Sequence, residues 1–345
     1  MVRCVSNATL PPELHQIARD AARNGRRPAP PRTATILGLG HYLPDEVVPN
    51  ADIAERIGVD DHWIIKRTGI KARRRAAANE GTTDLAVKAA RRALQDAGTN
   101  ARDIDYVIVA TMSADEITPN AAPLVAHAIG AERAAAFDIG AACTGFLAGL
   151  SQSAALIEVG RAERILLIGA EKLTRITDFN DKKTGMLFGD GAGAVVLGPT
   201  QSGSGIGPID LMADGGLGDT ILATHEDPYI RMDGISTFKI AVKNLSESTV
   251  YAVAAAGLEL SDIDLFVYHQ ANSRILKAVG ERLELDPSKV ADYIAQLGNT
   301  SAASIPLTLS LSREDGRLRP GQKILVGAIG AGFTWGAGVM EWTLR

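Results

Sequence analysis

The feature that most constrains this chain is a repetition at one fixed distance. Ala97-Gly98, then Asp103-Ile104-Asp105 and an apolar run, returns as Ala256-Gly257, Asp262-Ile263-Asp264 and a second apolar run. Ile165-Leu166 likewise returns as Ile324-Leu325. Each pair is separated by 159 positions (257 − 98, 262 − 103, 324 − 165). Separate motifs that share one shift mark an internal duplication, so the chain is expected to fold as two similar halves about a pseudo-twofold axis. With 345 residues it is long enough to give both halves a substantial core.

Within each half, strand-like and helix-like patterns alternate. Thr35–Leu39, Tyr106–Ala110, Ala135–Ile139, Ile165–Ile168 and Ala194–Leu197 read as strands. Asp84–Ala97 and Thr144–Val159 read as helices, each closing on a glycine. Such alternation predicts an α/β layered fold with buried, largely parallel strands. The uncharged stretch Ile324–Met340 is too short to span a membrane, and its five glycines suit a strand, a tight loop and a second strand.

A net charge of −4 gives the whole molecule no match to nucleic acid or an anionic membrane, so an anionic partner must meet a local basic patch. The two cysteines, Cys4 and Cys143, lie in unlike contexts and do not form a disulfide framework. A reducing, cytoplasmic setting follows. The N-terminus has no secretory signal. Its arginines (Arg3, Arg19, Arg23, Arg26, Arg27) would suit a transit peptide, but Glu13, Asp20 and Pro28-Ala29-Pro30-Pro31 favour a dispensable leader and linker. Leu14, Ile17, Ala18 and Ala21 suggest a leader helix resting on the body or on a dimer surface.

Three residues carry the chemistry. Cys143 follows a predicted strand and opens a long helix, where the dipole and free N–H groups favour a thiolate. A lone cysteine is as often a buried structural residue. His269 follows the apolar run Asp264–Tyr268, and Asn299 precedes another helix that it could merely cap. Subtracting 159 sends Asn299 to Gly140, beside Cys143, and His269 to Ala110, at a strand end. All three thus fall at strand-to-helix corners, where α/β folds place ligands. A thiol nucleophile, two N–H donors and glycine loops together make an acyl-transfer set.

The chain resembles the β-ketoacyl-acyl-carrier-protein synthase III family of thiolase-like condensing enzymes. The motifs are Trp63–Ile70, Ala142-Cys143-Thr144-Gly145-Phe146, Phe188–Ala194, His269-Gln270-Ala271-Asn272, Gly298–Ser304 and Gly330–Gly336, in family order from about Ala34 to the C-terminus. The resemblance implies a thiolase-like αβαβα fold. It divides the chain into a leader and linker (1–32), a first half (33–200), a connecting, tunnel-lining segment (201–235) and a second half (236–345). It also implies that Cys143 takes the acyl group of an acyl-CoA, with the N–H groups of Cys143 and Ala331 as oxyanion hole. His269 and Asn299 would stabilise the enolate formed when malonyl-acyl-carrier protein loses carbon dioxide. Trp63, Arg67, Arg175, Gly234, Phe238 and Asn272 would bind CoA, and Arg274 and Lys277 would dock the carrier protein. The implied assembly is a homodimer, with no metal and no cofactor beyond the CoA thioester substrate.

Two departures bear on this. Thr118, in Ser113–Pro119, stands where some members have a bulky aromatic in the acyl pocket, which predicts room for a medium or long acyl chain. Ala331 replaces a glycine of some members, a change that leaves the backbone donor intact. A biosynthetic thiolase would need a second catalytic cysteine after Cys143, and none follows. A papain-like protease shares Cys, His and Asn but neither the duplication nor the glycine loops. The alternative is a related acyltransferase that passes the acyl group to a hydroxyl or amine without decarboxylation; Asn299 favours condensation.

Overall fold

The duplication is visible in the strand register of the computed structural model, which describes residues 11–24, 32–201 and 204–344. The first half contains β1 (Arg32–Tyr42), β2 (Tyr106–Ala110), β3 (Ala135–Ile139), β4 (Ile165–Lys172) and β5 (Asp190–Gln201), in sheet order β1-β5-β4-β2-β3. The second contains β6 (Ile206–Ala213), β7 (Leu265–Tyr268), β8 (Lys323–Gly330) and β9 (Thr334–Glu341), in order β7-β8-β9-β6. Tyr106 pairs with Ile165 in the first sheet and Leu265 with Ile324 in the second, the same parallel register shifted by 159 (265 − 106, 324 − 165).

The strands are not largely parallel. β2–β3, β2–β4 and β7–β8 are, while β1–β5, β4–β5, β8–β9 and β6–β9 are antiparallel. The chain reverses between β4 and β5, and between β8 and β9, without a crossover helix that would keep the direction. The second sheet also lacks a counterpart of β3. There the chain makes an isolated bridge, Phe266 to Val290, and then the short helix Ile294–Leu297.

Five layers result. The helices α1 (Pro12–Asn24), α2 (Asp61–Thr68), α3 (Thr82–Asp96), α4 (Gly145–Glu158), α5 (Gly234–Ala255), α6 (Ser273–Arg282) and α7 (Ser304–Glu314) take distinct places around the two sheets. Phe146, Leu147 and Leu150 of α4 and Ile305 and Leu309 of α7 pack in one buried cluster with residues of both sheets, including Ile108 and Val267. α4 and α7 therefore form the middle layer. Leu85, Ala89 and Ala93 of α3 cover the outer face of the first sheet. Leu245 and Val253 of α5 and Ile275 and Val279 of α6 cover the second. Each fully buried Leu, Ile or Phe contributes roughly 1.5–3 kcal/mol, which makes the shared middle layer the main tie between the halves. No helix among the described residues is long and apolar enough to cross a membrane.

The leader helix is integrated with the body. Leu14 is fully buried and Ala18 nearly so, in the cluster containing Leu245 and Val253, and Arg282 meets Glu13 at 2.8 Å. Cys4, Arg3, Arg26 and Arg27 lie outside the described residues. Leu14→Ala removes the main apolar anchor, a loss of about 2–5 kcal/mol at a buried site. The variant's leader is expected to be cut readily in limited proteolysis, with the 32–345 body resistant as before.

Candidate active site

The two halves deliver their chemistry through matching turns. Ala142–Thr144 forms a 3-10 turn before α4, and Ser301–Ala303 forms one before α7, again 159 positions apart (301 − 142). Each opens on a non-glycine residue with positive φ, Ala142 at 45° and Ser301 at 46°. Such backbone costs about 1–3 kcal/mol and persists only where surrounding packing enforces it. Here it sets Cys143 and Asn299 on facing corners. Cys143, His269, Asn299, Ser301, Gly330 and Ala331 all line one cavity of ≈ 1110 Å³.

Asn299 is held from both sides. Its N–H donates to Leu187 O at 2.8 Å, its carbonyl accepts from Gly189 N–H at 3.0 Å, and its Oδ1 accepts from Ser301 N–H at 2.8 Å. Those bonds leave the Nδ2 amide as the free donor of this side chain. Gly298, at φ 68°, must be glycine, because a Cβ would also lie 2.9 Å from Leu187 O. Behind this loop Arg73 is sealed from solvent, donating to Asn50 Oδ1 and Met186 O at 2.8 Å each.

His269 is buried directly after β7, and its Nδ1 lies 2.7 Å from Ser304 Oγ. With Ser304 as donor, Nε2 carries the proton and becomes the imidazole's donor. Burial pushes its pKa down to about 3, so the ring is neutral at physiological pH.

Cys143 departs from the sequence expectation of a favoured thiolate. Burial and the nearby Glu171 carboxylate push the thiol up to about 12, although the Ser301 hydroxyl and the Cys143 N–H favour the ionised form. Burial disfavours the charged sulfur, and the resting thiol is protonated.

Gly330 sets the spacing between the β8–β9 turn and the nucleophile. A Cβ there would lie 2.8 Å from Cys143 N and 3.1 Å from Thr144 N, both backbone atoms that cannot swing away. Gly330→Ala is expected to displace Ala331 from Cys143 and lower kcat/KM about 10²-fold or more, the scale of losing one oxyanion donor. Circular dichroism would stay native, which separates this effect from misfolding.

The cavity mouth gathers most of the remaining candidates. Trp63, Arg67, Gly234, Phe238, Asn272 and Arg274 all line it. The Arg67 guanidinium sits 3.9 Å from the Trp63 ring centre, Asn272 Nδ2 donates to Arg67 O at 3.1 Å, and Arg274 lies 5.5 Å from the Phe238 ring. Lys277 is exposed on the same helix as Arg274, 3.7 Å from Glu281. Arg175 is not with them. Its guanidinium binds Ser113 O, Ala114 O and Asp115, so it pins the 113–115 segment instead of lining the cavity. Thr118 is exposed on the surface of this chain and does not line its cavity.

Several site residues escaped sequence reasoning. Lys182 and Lys183 line the mouth, Lys182 with its ammonium 5.2 Å from the Trp63 ring centre. In sequence they are an unremarkable charged pair. Glu171 and Ser301 gave no signal either, since only the folded chain buries them beside Cys143.

Residues 137–215 match the family described as 3-oxoacyl-[acyl-carrier-protein (ACP)] synthase III, and residues 253–342 match its C-terminal family. A β-ketoacyl-[acyl-carrier-protein] synthase III of Geobacillus kaustophilus is 45% identical over 309 residues, covering 90% of this chain and 99% of the relative. The crystal structure of 3-oxoacyl-[acyl-carrier-protein] synthase III from Aquifex aeolicus superimposes with a TM-score of 0.87 at 39% identity, over 90% of this chain and all of that one. The priming β-ketosynthase from the R1128 polyketide biosynthetic pathway gives 0.88 at 34% identity, over 92% and 99%.

Proposed function

The chain belongs to the 3-oxoacyl-[acyl-carrier-protein] synthase III family, and on that premise we propose that it condenses an acyl-CoA with malonyl-acyl-carrier protein. The acyl group is carried as a thioester on Cys143. The observation that carries this reading is the meeting of Cys143, His269 and Asn299 in one cavity. Cys143 Sγ attacks the acyl-CoA carbonyl, and the N–H groups of Cys143 and Ala331 receive the oxyanion. After CoA leaves, malonyl-acyl-carrier protein enters. His269 Nε2 and Asn299 Nδ2 then donate to its thioester oxygen as carbon dioxide departs. Neutral donors suit a developing enolate, and each contributes about 3–4 kcal/mol when preorganised. The carbanion attacks the acyl-Cys143 carbonyl and leaves as a 3-oxoacyl chain on the carrier. No step changes an oxidation state, so the scheme calls for no redox cofactor, and the enolate charge is met without a metal.

At the mouth, Lys182, Lys183 and Arg67 meet the CoA phosphates beside Trp63, and Arg274 with Lys277 meets the acidic carrier. The Lys182→Glu, Lys183→Glu double variant is expected to raise KM for acyl-CoA about tenfold with kcat little changed, as lost charge-assisted contacts would. A second copy of this chain completes the acyl pocket with its exposed loop at Thr118. The small side chain then leaves room for medium or long starters, in a reducing cytoplasm that keeps Cys143 free.

Intact-protein mass spectrometry with acyl-CoAs of graded length tests the assignment. Acylation of one site, absent from Cys143→Ser and favouring octanoyl- or lauroyl-CoA over acetyl-CoA, is the expected result. A preference for acetyl-CoA would refute the wide pocket, and no acylation would refute the carrier role of Cys143.

A further inference from the structure

Glu171 is a fully buried carboxyl beside the nucleophile that the condensation scheme does not use. β4 carries it beneath the turns that start α4 and α7. Ser113 Oγ donates to its Oε2 at 2.5 Å, Thr111 Oγ1 lies 3.3 Å from the same atom, and the Met112 and Ala302 N–H groups reach it at 3.3 and 3.4 Å. These donors hold it in place but bring no cation. The neighbouring Lys172 directs its ammonium to Ala77 O and Glu80 O instead.

Ser301 connects this carboxyl to the thiol. It is 1% exposed, lines the cavity and holds the positive φ described above. Its hydroxyl lies against both Cys143 and Glu171, favouring the ionised form of each, yet meets neither at good hydrogen-bond geometry in the resting chain. Catalytic hydrogen bonds are commonly long before substrate binds and tighten afterwards. A strained, buried hydroxyl without a well-directed partner, set between a thiol and a carboxylate, is unexplained by packing alone.

Resting on the acyl-Cys143 reading, we propose that Ser301 and Glu171 form a proton relay that takes the Cys143 proton on acylation and returns it after condensation. As Sγ attacks, its S–H bond breaks; the proton passes to Ser301 Oγ, whose own proton passes to Glu171. The bond between the acyl carbon and the CoA sulfur breaks, and the CoA thiolate takes a proton from water. When the carbanion displaces Cys143 as a thiolate, the Glu171 proton returns through Ser301 to Sγ. The cycle consumes one proton, the one acquired by CoA. Burial pushes Glu171 up to about 7, where a carboxyl can both accept and release a proton near neutral pH. In this relay Ser301 is the member that exchanges a proton with the sulfur; Glu171 acts through it as a positioning and proton-holding residue.

Infrared difference spectroscopy of the full-length enzyme, before and after octanoyl-CoA, tests this, with intact mass recorded in parallel. The expected result is a new protonated-carboxyl C=O band that shifts in D2O and appears in step with acyl-Cys143. It should vanish in Glu171→Gln, or move in Glu171→Asp if the glutamine variant does not fold. Ser301→Ala should acylate about 10²-fold more slowly, the usual scale of a lost proton-transfer partner, and show no band. Acylation by mass without the band, or a band that survives in Glu171→Gln, overturns the relay alone. Absence of acylation overturns the acyl-Cys143 reading and the relay with it.

Discussion

Asn299→Ala enzyme is expected to load an acyl group on Cys143 at close to the normal rate and then stall. The amide acts only on the second substrate, because its Oδ1 is fixed by Ser301 N–H and its Nδ2 is the donor left for the malonyl thioester oxygen. Removing one such donor costs about 10²–10³-fold in kcat. Rapid-quench mass spectrometry should therefore find acyl-enzyme accumulating under turnover, where the unmodified enzyme shows mainly free thiol. His269→Ala should stall at the same point. If either variant instead failed to acylate, its residue would belong to the loading step.

Cys143→Ala should lose condensation by at least about 10⁴-fold, since among the described residues the cavity holds no second thiol to carry the acyl chain. The same variant still holds His269 and Asn299, so it should decarboxylate malonyl-acyl-carrier protein without joining it to anything. That residual reaction carries a pH signature. An ordinary histidine changes charge between about pH 5 and 8, whereas His269 is pushed down to about 3 by burial. A lowered pKa keeps the ring neutral until the pH falls close to that value, so decarboxylation should be flat from about pH 5 to 8. An inflection near pH 6.5 that persists when Glu171 is also changed to Gln would show that the imidazole of His269 is solvated in the working enzyme.

The duplication was legible because it rests on backbone register. The β2–β4 and β7–β8 pairs repeat at one shift, and so does the positive φ at Ala142 and Ser301. The strands at Tyr106–Ala110 and Ala135–Ile139 match their predicted bounds, the first a buried run that follows Asp105 and the second a half-buried edge strand closed by Gly140. Strand direction was not legible. It depends on how the chain travels between β4 and β5, which periodicity does not encode. The absent counterpart of β3 was equally hidden, because Ile294–Leu297 is as apolar as a strand but closes into a helical turn.

Cys143, His269 and Asn299 could be located from loop position, yet the state of the thiol could not. A helix terminus is visible in sequence, whereas desolvation by the opposite half is a tertiary effect, and it reverses the expected sign. Arg175 illustrates the same limit. The family resemblance implied a CoA contact for it, but Ser113 O, Ala114 O and Asp115 claim its guanidinium. Lys182 reaches the Trp63 ring across a loop that no local pattern announces.

The most direct test of condensation is a single turnover: acyl-loaded enzyme, freed of CoA, mixed with malonyl-acyl-carrier protein and followed by intact mass. Acyl-Cys143 should disappear as one equivalent each of carbon dioxide and 3-oxoacyl-carrier protein forms. An acyl-enzyme that survives malonyl-acyl-carrier protein but is discharged by a hydroxyl or amine acceptor would contradict condensation and identify a transferase.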